Sequence, residues 1–70
     1  MQITVYSIPN CNVCKMVKQK LENSEYDFTY IEDIDKTLSI GNESGIMSAP
    51  IVQIDDKFFN AQQVAKELRF

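Results

Sequence analysis

The residues best able to do covalent chemistry are Cys11 and Cys14, the only two cysteines, spaced as Cys11-Asn12-Val13-Cys14 in a chain with no histidine. On a helix, positions three apart are neighbours on one face, so two sulfurs at this spacing can close a disulfide without large backbone movement. The pair can therefore switch between an open dithiol and a closed disulfide, carrying two electrons. Position separates the two thiols. If a helix starts just after Cys11, the free N–H groups of Val13 and Cys14 and the positive end of the helix dipole favour an anion at Cys11. A thiol so placed ionises well below the usual thiol range and needs no histidine base. Lys15, one turn on, adds a modest attraction if its ammonium approaches the sulfur. Cys14 shares its face with Val17 and Leu21 and is expected to lie towards the interior. There it is suited to resolve a mixed disulfide formed by Cys11.

Blander readings carry less. As a stability staple, so short a loop contributes about 2 kcal/mol in the chain-entropy model, against about 4.7 kcal/mol for a loop of about 100 residues. Inert burial of both thiols conflicts with the position of Cys11 beside Pro9 and Asn10 in a loop. A structural zinc site needs four soft ligands, and this chain offers two cysteines, so no metal is expected.

The elements that must position the pair are readable from periodicity. Gln2 to Ser7 alternates in part, with Ile3 and Val5 on one side, and reads as a strand that Pro9 and Asn10 end. Val13, Met16, Val17 and Leu21 fall at helical spacing, with Lys15, Lys18, Lys20 and Glu22 between them, which predicts a helix from about Asn12 to Ser24. Asp27 to Asp33, rich in aromatic and β-branched residues, reads as a second strand. A strand-helix-strand unit of this kind pairs its strands in parallel, with the helix on one face. Cys11 and Cys14 stand at its first strand-to-helix junction.

Asp35 to Gly45 reads as a helix capped by Asp35 or Thr37, with Leu38 and Ile40 as its apolar residues and Gly41 weakening its interior. Ala49-Pro50 leads into a strand at Ile51, Val52 and Ile54, where the proline is tolerable at the strand's start. Asp55-Asp56 turns the chain into a short strand, Lys57 to Phe59. Ala61, Val64, Ala65 and Leu68 form the stripe of a closing helix, and Asn60 with Gln63 has the spacing of a capping box.

Seventy residues support one domain, 1–70, with a simple core. Hydrophobic content of 44% with 24% charged residues is the balance of an ordinary globular chain. A net charge of −3 lacks the electrostatic footprint of a nucleic-acid binder. Met1 runs into Ile3, Val5 and Tyr6 without a basic segment or a long apolar run. Neither a signal peptide nor a membrane span is read, and a cytoplasmic monomer is expected.

At Tyr6-Ser7-Ile8-Pro9-Asn10-Cys11-Asn12-Val13-Cys14-Lys15 and again at Ser48-Ala49-Pro50-Ile51-Val52, the sequence resembles glutaredoxins and, more closely, the NrdH-type redoxins. The resemblance implies the thioredoxin fold, an α/β architecture with a four-stranded mixed sheet flanked by three helices in the order β-α-β-α-β-β-α. It also implies a cis peptide at Ala49-Pro50 beside the nucleophile, with the Ala49 backbone pairing to an extended substrate chain. Tyr6, Pro9, Asn12 and Val13 join Ala49 and Pro50 as expected substrate-binding residues, and Cys11 and Cys14 are the expected catalytic pair.

The departures are informative. Glutaredoxins carry a basic residue shortly before the first cysteine, a Gly-Gly pair after the last strand, and an aspartate that helps hold glutathione. The corresponding positions here are Ile8, Phe59-Asn60 and Gln62-Gln63, and the stretch Asp35 to Gly45 is shorter than the family's second helix. The N–H groups of Ala61 and Gln62 remain able to meet a glutathione carboxylate. The expected function is that of an electron carrier without a prosthetic cofactor. It would reduce protein disulfides such as those of ribonucleotide reductase, and be reduced in turn by thioredoxin reductase. Two alternatives stand beside it: a glutathione-dependent glutaredoxin, and a redox-inactive module that holds a partner through the sheet edge and Phe58-Phe59.

Overall fold

A computed structural model describes residues 1–69. The alternation of Ile3 and Val5 with Thr4 and Tyr6 produces β1 (Ile3–Ser7), and the chain then runs through α1 (Asn12–Glu22), β2 (Phe28–Glu32) and α2 (Ile34–Ser44). It continues through β3 (Ile51–Ile54), β4 (Lys57–Phe59) and α3 (Ala61–Glu67). The strands form one sheet in the order β2-β1-β3-β4. β1 pairs parallel with β2, from Ile3↔Phe28 to Ser7↔Glu32, and antiparallel with β3, from Ile3↔Ile54 to Tyr6↔Ile51. The antiparallel β3–β4 hairpin turns at Asp55-Asp56, with Asp55 at φ 56°. This is the four-stranded mixed sheet with three helices expected from the sequence.

The core lies on one face of the sheet. Ile3, Val5, Val52 and Ile54 meet Val17 and Leu21 of α1 and Val64 and Leu68 at the end of the chain. Strand residues alternate between faces, so Tyr6 and Ile51, which pair with each other, point the other way. That face carries α2: a Cβ placed on Gly41 would lie 3.6 Å from Ile51 Cδ1 and 2.9 Å from the Ile46 carbonyl oxygen. Gly41, read from the sequence as a weak point, is the buried position that lets α2 approach the sheet and its own exit loop.

Two sequence expectations are corrected. In α1 the buried stripe is Cys14, Val17 and Leu21, whereas Val13 is 46% and Met16 55% exposed. Val13 and Met16 each stand one residue, about 100° of helix rotation, before a buried position, so they roll outwards. α2 is capped by Asp33, whose carboxylate accepts the Lys36 N–H at 3.1 Å, not by Asp35 or Thr37. Asp33 holds extended backbone directly after β2, which leaves Thr37 inside the helix and buried. Leu38, one of the two apolar residues read for this helix, is 62% exposed.

α3 has the predicted capping box: Asn60 Oδ1 accepts from Gln63 N at 2.8 Å and Gln63 Oε1 accepts from Asn60 N at 3.0 Å. Among the described residues no helix is long and apolar enough to cross a membrane.

Candidate active site

The sheet delivers its first strand end to the start of α1. After Ser7, Pro9 and Asn10 turn the chain, with Asn10 in the left-handed region at φ 59°, a conformation asparagine tolerates better than most residues. Cys11 then takes the N-cap position, with extended backbone at φ −106° and ψ 106°. Its sulfur accepts the Cys14 N–H at 3.1 Å, and its carbonyl accepts from Lys15 N at 3.2 Å. Thus a sulfur occupies the place that serine or aspartate fills in an ordinary helix.

Cys11 and Cys14 are joined as a disulfide, with 5.2 Å between their Cα atoms, inside the usual range for such pairs. They differ in access, because Cys14 is fully buried and Cys11 half-buried. No acidic residue lies in the first turn of α1. The helix N-terminus is therefore not neutralised locally, and negative charge on Cys11 Sγ would be stabilised by the Cys14 N–H and the dipole together. Among the described residues, no group of three or more histidine, cysteine, aspartate or glutamate side chains could hold a metal ion.

Of the residues expected to bind substrate, Pro9, Asn12 and Val13 are exposed and Ala49 is half-buried. The Ala49–Pro50 peptide is cis. Ala49 lies outside the β1–β3 register, which ends at Tyr6↔Ile51. The Pro50 ring is fully buried, and Tyr6 is only 8% exposed, its hydroxyl donating to Gln53 Oε1 at 3.1 Å. These two expected substrate-binding residues are thus buried.

The fold also forms two cavities that bring together residues distant in sequence. Ile8 and Ala49 share a mainly apolar cavity of about 130 Å³ with Thr37, Leu38, Gly41 and Met47. A second cavity, about 190 Å³, lies between α1 and α3, where Val13 and Met16 face Ala61, Gln62 and Ala65. Ile8 had registered only as the replacement of a basic residue. Nothing in the local pattern of Leu38 or Met47 marks them as neighbours of Ile8, because α2 and the loop after it reach Ile8 only through tertiary packing.

Comparison with known proteins agrees with this geometry. Residues 3–59 match the family model for glutaredoxin. The chain is 38% identical over 64 residues to the glutaredoxin-like protein NrdH of Lactococcus lactis subsp. cremoris, covering 83% of each chain, and equally to that of L. lactis subsp. lactis. Its fold matches the solved NrdH-redoxin of Escherichia coli with a TM-score of 0.80 at 24% identity, over 100% of this chain and 95% of that one. A crystal structure of a thioredoxin-like protein matches with a TM-score of 0.77, also at 24% identity, over 96% of both chains. With a Cys-x-x-Cys disulfide at the head of the first helix and relatives of this kind, the chain belongs to the glutaredoxin family and is an NrdH-like thiol-disulfide oxidoreductase.

Proposed function

We propose that the chain is an electron carrier that reduces disulfides in other proteins, with Cys11 as nucleophile and Cys14 as resolving thiol. The observation that carries this assignment is the difference in access at one helix start. Cys11 is half-buried with its sulfur on a backbone N–H, and Cys14 is fully buried behind it. In the dithiol form, the Cys11 thiolate attacks one sulfur of a substrate disulfide, forming a mixed disulfide and releasing the other sulfur as a thiolate that takes up a proton. Cys14, losing its proton, then attacks Cys11 Sγ. The Cys11–Cys14 bond forms, the mixed disulfide breaks, and the substrate leaves with both its sulfurs reduced. The exposed Pro9, Asn12 and Val13 and the backbone of Ala49 receive the substrate chain, the latter by strand-like pairing.

The proposed reductant is thioredoxin reductase and the proposed acceptor ribonucleotide reductase, with the chain working as a single-domain monomer in the cytoplasm. Glutathione is disfavoured by three positions. Ile8 lines an apolar cavity where a cation would be needed. Phe59 packs against the core where Gly-Gly would leave backbone accessible. Gln63 is engaged in the α3 capping box. In accord with this, the E. coli NrdH-redoxin whose fold this chain shares has a thioredoxin-like activity profile.

The test supplies either NADPH with thioredoxin reductase or glutathione with glutathione reductase and NADPH, and follows NADPH oxidation during reduction of a protein disulfide. Turnover is expected with the first system and slow turnover with the second. Efficient turnover with glutathione alone would make the chain a glutathione-dependent glutaredoxin. Inactivity in both would favour a binding role.

A further inference from the structure

Ser7 and Thr37 are the buried polar side chains among the described residues, at 0% and 5% exposure, and they belong to one network. Thr37 Oγ1 donates to the Ser7 carbonyl oxygen at 2.8 Å, and the same oxygen accepts the Asp33 N–H at 3.1 Å. The Ser7 hydroxyl donates to the Ile31 carbonyl at 3.1 Å. A buried hydroxyl costs stability unless it is paired. A valine would fill the Thr37 site with nearly the same shape and no such requirement. The hydroxyl therefore calls for a reason beyond packing.

Ser7 is the last residue of β1, four positions before Cys11. The link between them is stiff, since Pro9 has a fixed φ and Asn10 is held in the left-handed region. A rotation of the Ser7 peptide is therefore passed to Cys11 with little room to dissipate. At the far end of the link, Cys11 is tied to α1 by its own sulfur. We propose that Thr37, acting through the Ser7 carbonyl, is a positioning residue for Cys11, so that the first turn of α2 sets how readily the Cys11–Cys14 disulfide closes. The proposal rests on the reading of these cysteines as the reacting pair. Closure demands a narrow Cα separation, whereas the dithiol tolerates a wider one, so loss of the hydroxyl acts on the closed form.

The experiment equilibrates wild type, Thr37→Val and Thr37→Ser with buffers of glutathione and glutathione disulfide. One glutathione disulfide and the dithiol give two glutathiones and the Cys11–Cys14 disulfide, and the closed fraction is read by alkylation and mass. Thr37→Val is expected to lower the closure constant about three- to tenfold, since a small misplacement of reacting groups is costly. Thr37→Ser is expected to stay within about twofold of wild type. Thermal unfolding of both redox forms is measured in parallel, and Thr37→Val should destabilise the disulfide form more than the dithiol form. A wild-type closure constant in Thr37→Val, equal losses in Thr37→Val and Thr37→Ser, or equal destabilisation of both redox forms would overturn the proposal. Failure of Thr37→Val to fold in either form would likewise overturn it, by assigning Thr37 to the fold. If wild type itself formed no internal disulfide in these buffers, the reading of the redox pair would fall first.

Discussion

The starts of α1 and α2 share one construction and differ in chemistry. Each opens an eleven-residue helix from a residue in extended backbone, and each cap side chain accepts the N–H three residues on at 3.1 Å. At α2 the acceptor is the Asp33 carboxylate; at α1 it is Cys11 Sγ. A carboxylate there is a permanent partner for the helix dipole and does nothing further. A sulfur in the same place acquires the same stabilisation when it becomes an anion, and as an anion it is a nucleophile. Helix capping is thus a means of stability at one site and of activating a thiol at the other.

The largest expected effect comes from removing the reactive cap atom while keeping a cap. Cys11→Ser should abolish disulfide reduction, because an alcohol does not exchange with disulfides, whereas serine caps helices well. Thermal unfolding should show a folded protein. Residual activity equal to that of Cys14→Ser would move the nucleophile elsewhere.

Cys14→Ser sharpens the comparison from inside the helix. Attack by Cys11 survives and resolution does not, so a mixed disulfide with the substrate should accumulate, visible as a mass shift under non-reducing conditions. In the reduced wild type, alkylation at about pH 6 should label Cys11 before Cys14. Prior labelling of Cys14 would reverse the roles.

Gly41→Ala probes the other helix where it presses on its exit loop. The added Cβ would stand 2.9 Å from a backbone carbonyl, and overpacking of this kind costs about 1–3 kcal/mol. A lower urea midpoint is expected, and an unchanged one would show that the loop yields freely. The smallest effect belongs to the ordinary cap. Asp33→Ala should lower stability by about 1 kcal/mol, or about 4–8 °C in Tm for a domain of this size. A loss of several kcal/mol would mean that Asp33 does more than cap.

The order and type of the elements were legible in the sequence because each rests on local physics. The 3.6-residue stripe Cys14, Val17, Leu21, the capping spacing of Asn60 and Gln63, the break at Pro9-Asn10 and the turn at Asp55-Asp56 involve residues within a few positions of each other. The Cys-x-x-Cys pair was legible for the same reason, as three residues on a helix bring two sulfurs together in any fold. Asp33 was missed as a cap because two other candidates, Asp35 and Thr37, lie within four residues, and only the end of β2 decides where the helix can begin. Tertiary structure alone decided the rest. It brought Thr37 to the Ser7 carbonyl across 30 residues of chain, joined Ile8 and Ala49 around one cavity, turned Val13 and Met16 outwards, and gave Gly41 a packing role. Each of these depends on which face of the sheet a helix covers, and a sequence states its local periods without stating what lies across the sheet.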